Sequence, residues 1–285
     1  MMILTIIWAF LAVGLLGGLF GIGLAVASRI LAVEKDERQS QVEELLPGAN
    51  CGACGYTGCA GYAEAIVSGE ASDLTLCTPG GPSTAEAVGD FMGVTVEVSG
   101  EKMVAQVHCR GTRDTSKYKF EYSGLGDCNA LYASFKGDKE CPYGCLGEGS
   151  CIKVCPVNAI LKHSDGYIFV DKEKCISCGK CIDVCPTGVM KWMPYTADTF
   201  VACNSIDKGG VVRKYCSVGC IGCKMCEKKS PDGGFLVENF LATMDYSSTG
   251  STDAAVSGCP TKCIIRLEQK VVPVLSENIE EKKED

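Results

Sequence analysis

Residues 175–186 read Cys175-Ile-Ser-Cys178-Gly-Lys-Cys181-Ile-Asp-Val-Cys185-Pro186. Three cysteines spaced by two residues, then a fourth after three more and a proline, form the spacing that holds [4Fe–4S] cubanes. In units with two clusters such a run occurs twice, and the fourth cysteine of each run ligates the other cluster. The partner run lies upstream as Cys145-x2-Glu148-x2-Cys151-x3-Cys155-Pro156. Its spacing is right, but Glu148 occupies the second place. A carboxylate suits soft iron–sulfur chemistry poorly, so Cys141, four residues before Cys145, is the expected replacement. One cluster is thus expected on Cys141, Cys145, Cys151 and Cys185, and a second on Cys155, Cys175, Cys178 and Cys181.

The pattern returns at an offset of 75 residues. Cys128, Cys141, Cys145 and Cys151 match Cys203, Cys216, Cys220 and Cys226 without a gap. The second copy is degraded selectively. Its first run ends in Ser230-Pro231, and its later run reads Thr249-x2-Thr252-x2-Ala255-x3-Cys259-Pro260. Cross-ligation therefore predicts one emptied site, at Ser230, Thr249, Thr252 and Ala255. It predicts one retained site, at Cys220, Cys223, Cys226 and Cys259. Cys109, Cys128, Cys203, Cys216 and Cys263 remain. Buried free thiols are one reading of these, since free cysteine packs as a small apolar residue. The other is a fifth site between the repeats, made by Cys109, Cys128, Cys203 and Cys216, with Cys263 left free.

A separate set stands nearer the N-terminus: Cys51-Gly-Ala-Cys54-Gly-Tyr-Thr-Gly-Cys59, then Cys77. Its glycines let the backbone wrap closely around a cluster. The count alone also fits a four-cysteine zinc site. Ala60 to Val67 reads as a short helix between Cys59 and Cys77. Beyond this set, Val94–Val98 and Met103–Val107 alternate about Ser99-Gly100 and suggest a hairpin.

The bulk properties agree with redox work. The chain has 285 residues, formal net charge -8, 21 cysteines and two histidines. An acidic surface argues against nucleic acid as the partner. Two histidines leave little material for zinc hydrolysis or histidine-based acid–base chemistry. The odd, closely spaced cysteines suit metal centres better than disulfides. No Gly-x-Gly-x-x-Gly follows a strand, so no NAD site is expected on this chain.

From Met1 to Ser28 no side chain is charged. As a helix this stretch spans roughly 42 Å, enough to cross a hydrocarbon core of about 30 Å. Gly14-x3-Gly18 and Gly17-x3-Gly21 would let partner helices approach. A cleaved signal peptide would need a basic segment before the apolar run. The first charge, Arg29, follows it, which places the C-terminal side in the cytoplasm. Glu34 to Leu46 is charged and helix-compatible, and Pro47-Gly48 ends it.

The fold expected is α+β: a single N-terminal transmembrane helix, a small four-cysteine module, then two ferredoxin-like β-α-β units. The boundaries expected are an anchor at 1–33, the module at 34–90 and a linker with a hairpin at 91–127. A two-cluster unit at 128–200, a one-cluster unit at 201–270 and a charged tail at 271–285 complete the chain.

The stretch Pro47-Gly-Ala-Asn-Cys51-Gly-Ala-Cys54-Gly-Tyr-Thr-Gly-Cys59-Ala-Gly-Tyr-Ala63 resembles the small four-iron module of B subunits of Rnf complexes, and the order of segments matches over nearly the whole chain. The long C-terminal region is similar to the clostridial type. The resemblance favours iron–sulfur over zinc at Cys51, Cys54, Cys59 and Cys77. It implies a single-pass subunit of a cell-membrane complex, with its clusters on the cytoplasmic side. Electrons would pass from soluble ferredoxin through four [4Fe–4S] clusters, or five, toward partner subunits and NAD, coupled to Na+ or H+ translocation. Six basic residues between Cys203 and Lys229, against two acidic ones, could steer an acidic ferredoxin. They could equally offset cluster charge. The readings outside this family are the electron-transfer subunit of another membrane oxidoreductase and a membrane-tethered redox sensor.

Overall fold

The computed structural model describes residues 2–30, 36–96 and 101–267. Helix α1 (Met2–Ile30) is apolar along its length. Its segment Ile6–Arg29 has mean hydropathy 2.3, and none of it is buried against the rest of the protein. Large side chains such as Trp8, Phe10 and Phe20 are exposed on it. It is one helix long and apolar enough to cross a membrane.

The first soluble module packs three helices. Helix α2 (Glu37–Leu45) is capped by Asp36, whose carboxylate accepts from the Arg38 amide, and it stops before Pro47 as expected. It lies on α3 (Cys59–Ser68), with α4 (Gly81–Met92) completing the core. Val42, Tyr62, Ala63, Ile66 and Val88 form that core. The buried Tyr62 hydroxyl donates to the Asp73 carbonyl at 2.9 Å, which satisfies its polar end.

Among the described residues the first arm of the hairpin expected over 94–107, Val94 to Val96, is not a strand. A Cβ on Gly89 would lie 2.6 Å from Val96 Cγ2 and 2.7 Å from the Val94 carbonyl. Val94 to Val96 is therefore laid along α4 as irregular chain, and residues 97–100 lie outside the described residues. Strand β1 (Met103–Val107) instead pairs with a strand nearly ninety residues later. A boundary at 128 consequently cuts through a continuous unit, because the stretch expected as linker supplies that unit's first strand.

That unit continues with α5 (Cys128–Ala133), α6 (Ser150–Lys153), β2 (Ile160–Lys162), β3 (Ile168–Val170), α7 (Lys180–Asp183) and β4 (Met190–Pro194). Strand β1 runs antiparallel to β4, with Met103 opposite Pro194 and Val107 opposite Met190, and β2 runs antiparallel to β3. The next unit repeats the order with β5 (Thr199–Val201), α8 (Gly209–Tyr215), α9 (Met225–Lys229), β6 (Phe235–Glu238), β7 (Leu241–Met244), α10 (Asp253–Gly258) and β8 (Ile264–Arg266). Here β5 pairs with β8 and β6 with β7.

Inward side chains of both units close on cysteines. Val104, Ala105, Val107, Ile160, Ile168, Val170 and Met190 pack with Cys151, Cys175 and Cys181. Val201, Phe235, Val237, Leu241 and Ile264 pack with Cys203, Cys220, Cys226 and Cys263. The two units are tied by the segment after β1. Lys117 donates its amide to the Tyr215 carbonyl at 2.7 Å, and Ser217 donates to Thr115 at 2.9 Å.

Candidate iron–sulfur sites

The loop before α3 is shaped by side-chain capture. Asn50 Oδ1 accepts from the Cys59 amide at 2.8 Å, and a Cβ on Gly58 (φ 94°) would meet that oxygen at 2.7 Å. Glycine is therefore required there. Cys77, before α4, closes the set. Burial pushes its thiol up, and Cys59, Cys54 and Cys51 add to the shift through their proximity.

Four further cavities are each lined by four cysteines or more. Cys155, Cys175, Cys178 and Cys181 line one of about 330 Å³, walled by Ala105, Val170 and Trp192. This is the set expected from sequence. Cys220, Cys223, Cys226 and Cys259 line another of about 310 Å³, again as expected, but with Cys263 as a fifth sulfur.

The remaining two cavities correct the expected grouping. Cys128, not Cys141, joins Cys145, Cys151 and Cys185 around about 370 Å³. Cys141 lines the other, also about 370 Å³, with Cys109, Cys203 and Cys216. The reason is local. Asp127 caps α5 and accepts from Ser150 Oγ at 2.8 Å. Ser150 Oγ in turn accepts from the Cys128 amide at 2.7 Å. Cys128 is thereby pinned next to Cys151, in the place that Glu148 leaves open. The Glu148 carboxylate lies instead beside Gly126. Cys141 is held on the other side of Gly144, where an added Cβ would sit 3.7 Å from the sulfurs of both Cys109 and Cys141.

The inter-unit cavity is built pseudo-symmetrically. Cys109 and Cys203 each stand two residues beyond a strand, β1 or β5. Cys141 and Cys216 each precede Cys145 or Cys220 by four residues. Each unit thus contributes one cysteine of each kind. The extra site named from sequence had Cys128 where the structure places Cys141.

Do these residues fit iron–sulfur cubanes? All four cavities are apolar pockets into which sulfurs converge, which is the donor set such clusters need. Among the described residues no three Cys, His, Asp or Glu side chains are set to share a single metal ion. One zinc would draw its sulfurs far closer together than a cubane does. Amides also point at the sulfurs: Ala159 donates to Cys155 Sγ at 3.3 Å and Ala242 to Cys220 Sγ at 3.4 Å.

Burial pushes Cys141 up to about 11, Cys181 and Cys203 to about 12, and Cys226 to about 11. Cluster loading must therefore displace thiol protons. Cys263 hydrogen-bonds its neighbours, which holds Cys259 down at about 4 and Cys220 at about 6 while pushing Cys263 up.

Neighbouring sites touch electrostatically in sequence. Burial raises Cys178, and Cys51 of the first module adds to it. Cys151 is raised by burial, by its own set, and by Cys181 of the adjacent set. Burial carries Cys145 to about 12 with a contribution from Cys109. Cys203 feels Cys109 within its own cavity and Cys220 beyond it. Each set therefore has a cysteine of another set as an electrostatic neighbour, from the first module to the set around Cys223.

One buried charge beside these sites carried no sequence signal. Lys139 is 4% exposed, and its Nζ donates to the Gly111 carbonyl at 2.7 Å. Burial lowers its pKa, but Cys109, Cys145 and Tyr118 outweigh burial and raise it overall. A buried cation thus stands between two cysteine sets. Replacing it with methionine is expected to shift the midpoint potentials of both flanking sites negative, because a nearby positive charge favours the more anionic reduced state. An EPR-monitored redox titration checks this, and unmoved potentials would deny Lys139 that role.

The positions expected to be emptied are knitted together by side chains. Ser230 Oγ accepts from the Ala255 amide at 3.1 Å. The Thr252 and Thr199 hydroxyls lie 3.0 Å apart, and Arg266 Nη2 donates to Thr252 at 2.9 Å. Thr199 and Arg266 occupy the places that Ala105 and Trp192 hold in the first unit's cavity wall. Polar walls have replaced apolar ones where thiolates are missing.

Comparison with known proteins agrees with this chemistry. The family model described as "Putative Fe-S cluster" matches residues 46–79. The 4Fe-4S binding domain matches residues 168–191. The B subunit of the Na(+)-translocating ferredoxin:NAD(+) oxidoreductase complex of Acetobacterium woodii is 42% identical over 251 residues, covering 88% of this chain and 75% of that protein. The B subunit of the ion-translocating oxidoreductase complex of Methanosarcina acetivorans is 39% identical over 87% of this chain and 94% of its own. The B subunit of the proton-translocating ferredoxin:NAD(+) oxidoreductase complex of Clostridium ljungdahlii is 40% identical, with coverages of 91% and 92%. With likeness of this extent over cysteine sets that run unbroken through the fold, the chain belongs to the B subunits of ion-translocating Rnf complexes and is an iron–sulfur electron-transfer subunit.

Proposed function

We propose that the chain is a wire of five [4Fe–4S] clusters in two ferredoxin-like units and one smaller module. It would carry electrons from reduced ferredoxin toward membrane-embedded partner subunits, for NAD reduction coupled to Na+ or H+ translocation. Its ligand sets in order are Cys51, Cys54, Cys59 and Cys77; Cys155, Cys175, Cys178 and Cys181; Cys128, Cys145, Cys151 and Cys185; Cys109, Cys141, Cys203 and Cys216; and Cys220, Cys223, Cys226 and Cys259. The clusters, when bound, supply one-electron acceptors. The observation that carries this reading is the line of cysteine sets, each within the electrostatic reach of the next.

The two ends differ in a way that suggests direction. Helix α1 precedes the Cys51 set, so in this reading that end stands at the membrane and the cluster-bearing domains lie on the cytoplasmic side. At the far end Cys223 is the one exposed cysteine of the 21. Around it Lys224, Lys228 and Lys229 are exposed. Phe240 is exposed as well, and its backbone packs on Gly222. An apolar spot beside a solvent-facing ligand, rimmed by lysines, suits an acidic electron donor.

Iron and sulfide analysis of the anaerobically loaded full chain should give about twenty irons per chain. Reduction by ferredoxin should slow as salt rises. In Lys224→Glu/Lys228→Glu, stopped-flow reduction by ferredoxin should fall by an order of magnitude or more at low salt and lose its salt dependence. Reduction by dithionite should be unaffected. An unchanged ferredoxin rate would exclude docking at this surface.

A further inference from the structure

Cys263 lies outside the four-cysteine set of the last site, yet it lines that cavity. It is 2% exposed, with its sulfur 3.6 Å from Cys259 Sγ. Cys220 lines the same cavity. The first unit holds the counterpart. Cys263 follows Cys259 by four residues, through Pro260 and Thr261, and directly precedes β8. Val189 follows Cys185 by four residues, through Pro186 and Thr187, and directly precedes β4. Val189 is 1% exposed and lines the matching cavity.

The rest of the frame is shared. Thr187 Oγ1 lies 3.7 Å from Cys185 Sγ, and Thr261 Oγ1 lies 3.8 Å from Cys259 Sγ. Even the left-handed turn residue is matched, Gly188 at φ 63° and Lys262 at φ 53°. The chain thus presents one ligand frame twice, once walled by an isopropyl group and once by a thiol. With Cys220, Cys223, Cys226 and Cys259 making up a four-cysteine set, Cys263 is the thiol left over in this cavity, beside Cys259 Sγ.

We propose that Cys263 is a potential-setting residue: its S–H donates to the ligand sulfur of Cys259 and raises the midpoint potential of the last cluster. A hydrogen bond to sulfur favours the reduced, more anionic cluster, and valine at the same place offers none. The proposal rests on the reading of this cavity as a cluster site.

The test is an EPR-monitored redox titration of the full-length, anaerobically loaded chain, with iron counted in every sample. In Cys263→Val the iron content should stay at the wild-type value, and the midpoint of the last site alone should move negative. Cys263→Ser, which keeps a donor, should recover most of that shift. Val189→Cys should move the first unit's site around Cys185 positive. A loaded Cys263→Val with an unmoved potential overturns the proposal. So does loss of about four irons in that variant, which would make Cys263 a ligand. Should Cys220→Ala leave the iron content unchanged, the cluster site itself fails, a result distinct from an unmoved potential in a loaded variant.

Discussion

The double variant Cys141→Ala/Cys216→Ala is expected to lose about four irons per chain, no more than either single variant loses. Both residues line the inter-unit cavity, so the second substitution removes a ligand from a site already lost. Cys128→Ala/Cys216→Ala should instead lose about eight, because Cys128 lines the cavity with Cys145, Cys151 and Cys185. Grouping Cys141 with Cys145 reverses both results: eight for the first pair and four for the second. Non-additivity is the appropriate readout, since residues sharing one centre couple while independent ones add. Alanine is preferred to serine because a hydroxyl can still bind iron. Iron and sulfide counts on anaerobically loaded protein decide the matter.

Cys203→Ala should sever electron flow without emptying either end. Cys203 faces Cys109 within its own cavity and Cys220 of the next set, so in the proposed wire its loss removes the centre that joins the two units. The terminal set keeps Cys220, Cys223, Cys226 and Cys259, and should still be reduced by ferredoxin at the wild-type rate. Reduction of the sets on the membrane side should fall by orders of magnitude. Rapid-freeze EPR resolves the two populations. Wild-type rates on both sides of the gap would mean that electrons bypass the inter-unit site, and the linear order would be wrong.

The cysteine runs were legible in the sequence because their ligands are set by local spacing. Cys175, Cys178 and Cys181 lie on one loop and the short α7, and the structure brings them together with Cys155 around one cavity. The positions without cysteine, Ser230, Thr249, Thr252 and Ala255, follow from the same spacing. The grouping of Cys128 and Cys141 was not legible. The offset of 75 paired Cys128 with Cys203, since each stands thirteen residues before Cys141 or Cys216. Strand positions pair Cys109 with Cys203 instead, because the first unit carries a long insertion after β1. A gap-free match of cysteines hides an insertion that only strand pairing exposes.

The same limit explains the hairpin. Alternation identified β1, but its partner β4 is distant in sequence, and local pattern carries no information on which distant strand will pair. Val94 and Val96 alternate like a strand, yet Val96 rests its side chain and Val94 its carbonyl on Gly89 of α4 as irregular chain. Lys139 was silent for another reason. Nothing in a sequence marks a lysine for burial, and only the folded neighbourhood of Cys109 and Cys145 gives it a task.

The pseudo-symmetric cavity also orders events in time. Each unit carries two of its four sulfurs, Cys109 with Cys141 and Cys203 with Cys216. Neither unit can complete that site alone, whereas every other set lies wholly within the first module or one unit. In the proposed wire, loading of the inter-unit site must therefore follow folding and docking of both halves. A chain truncated during synthesis after the first unit would carry a half-built centre and no conducting path. The middle of the wire acts as a proof of completeness, closing the circuit only when the whole protein has been made.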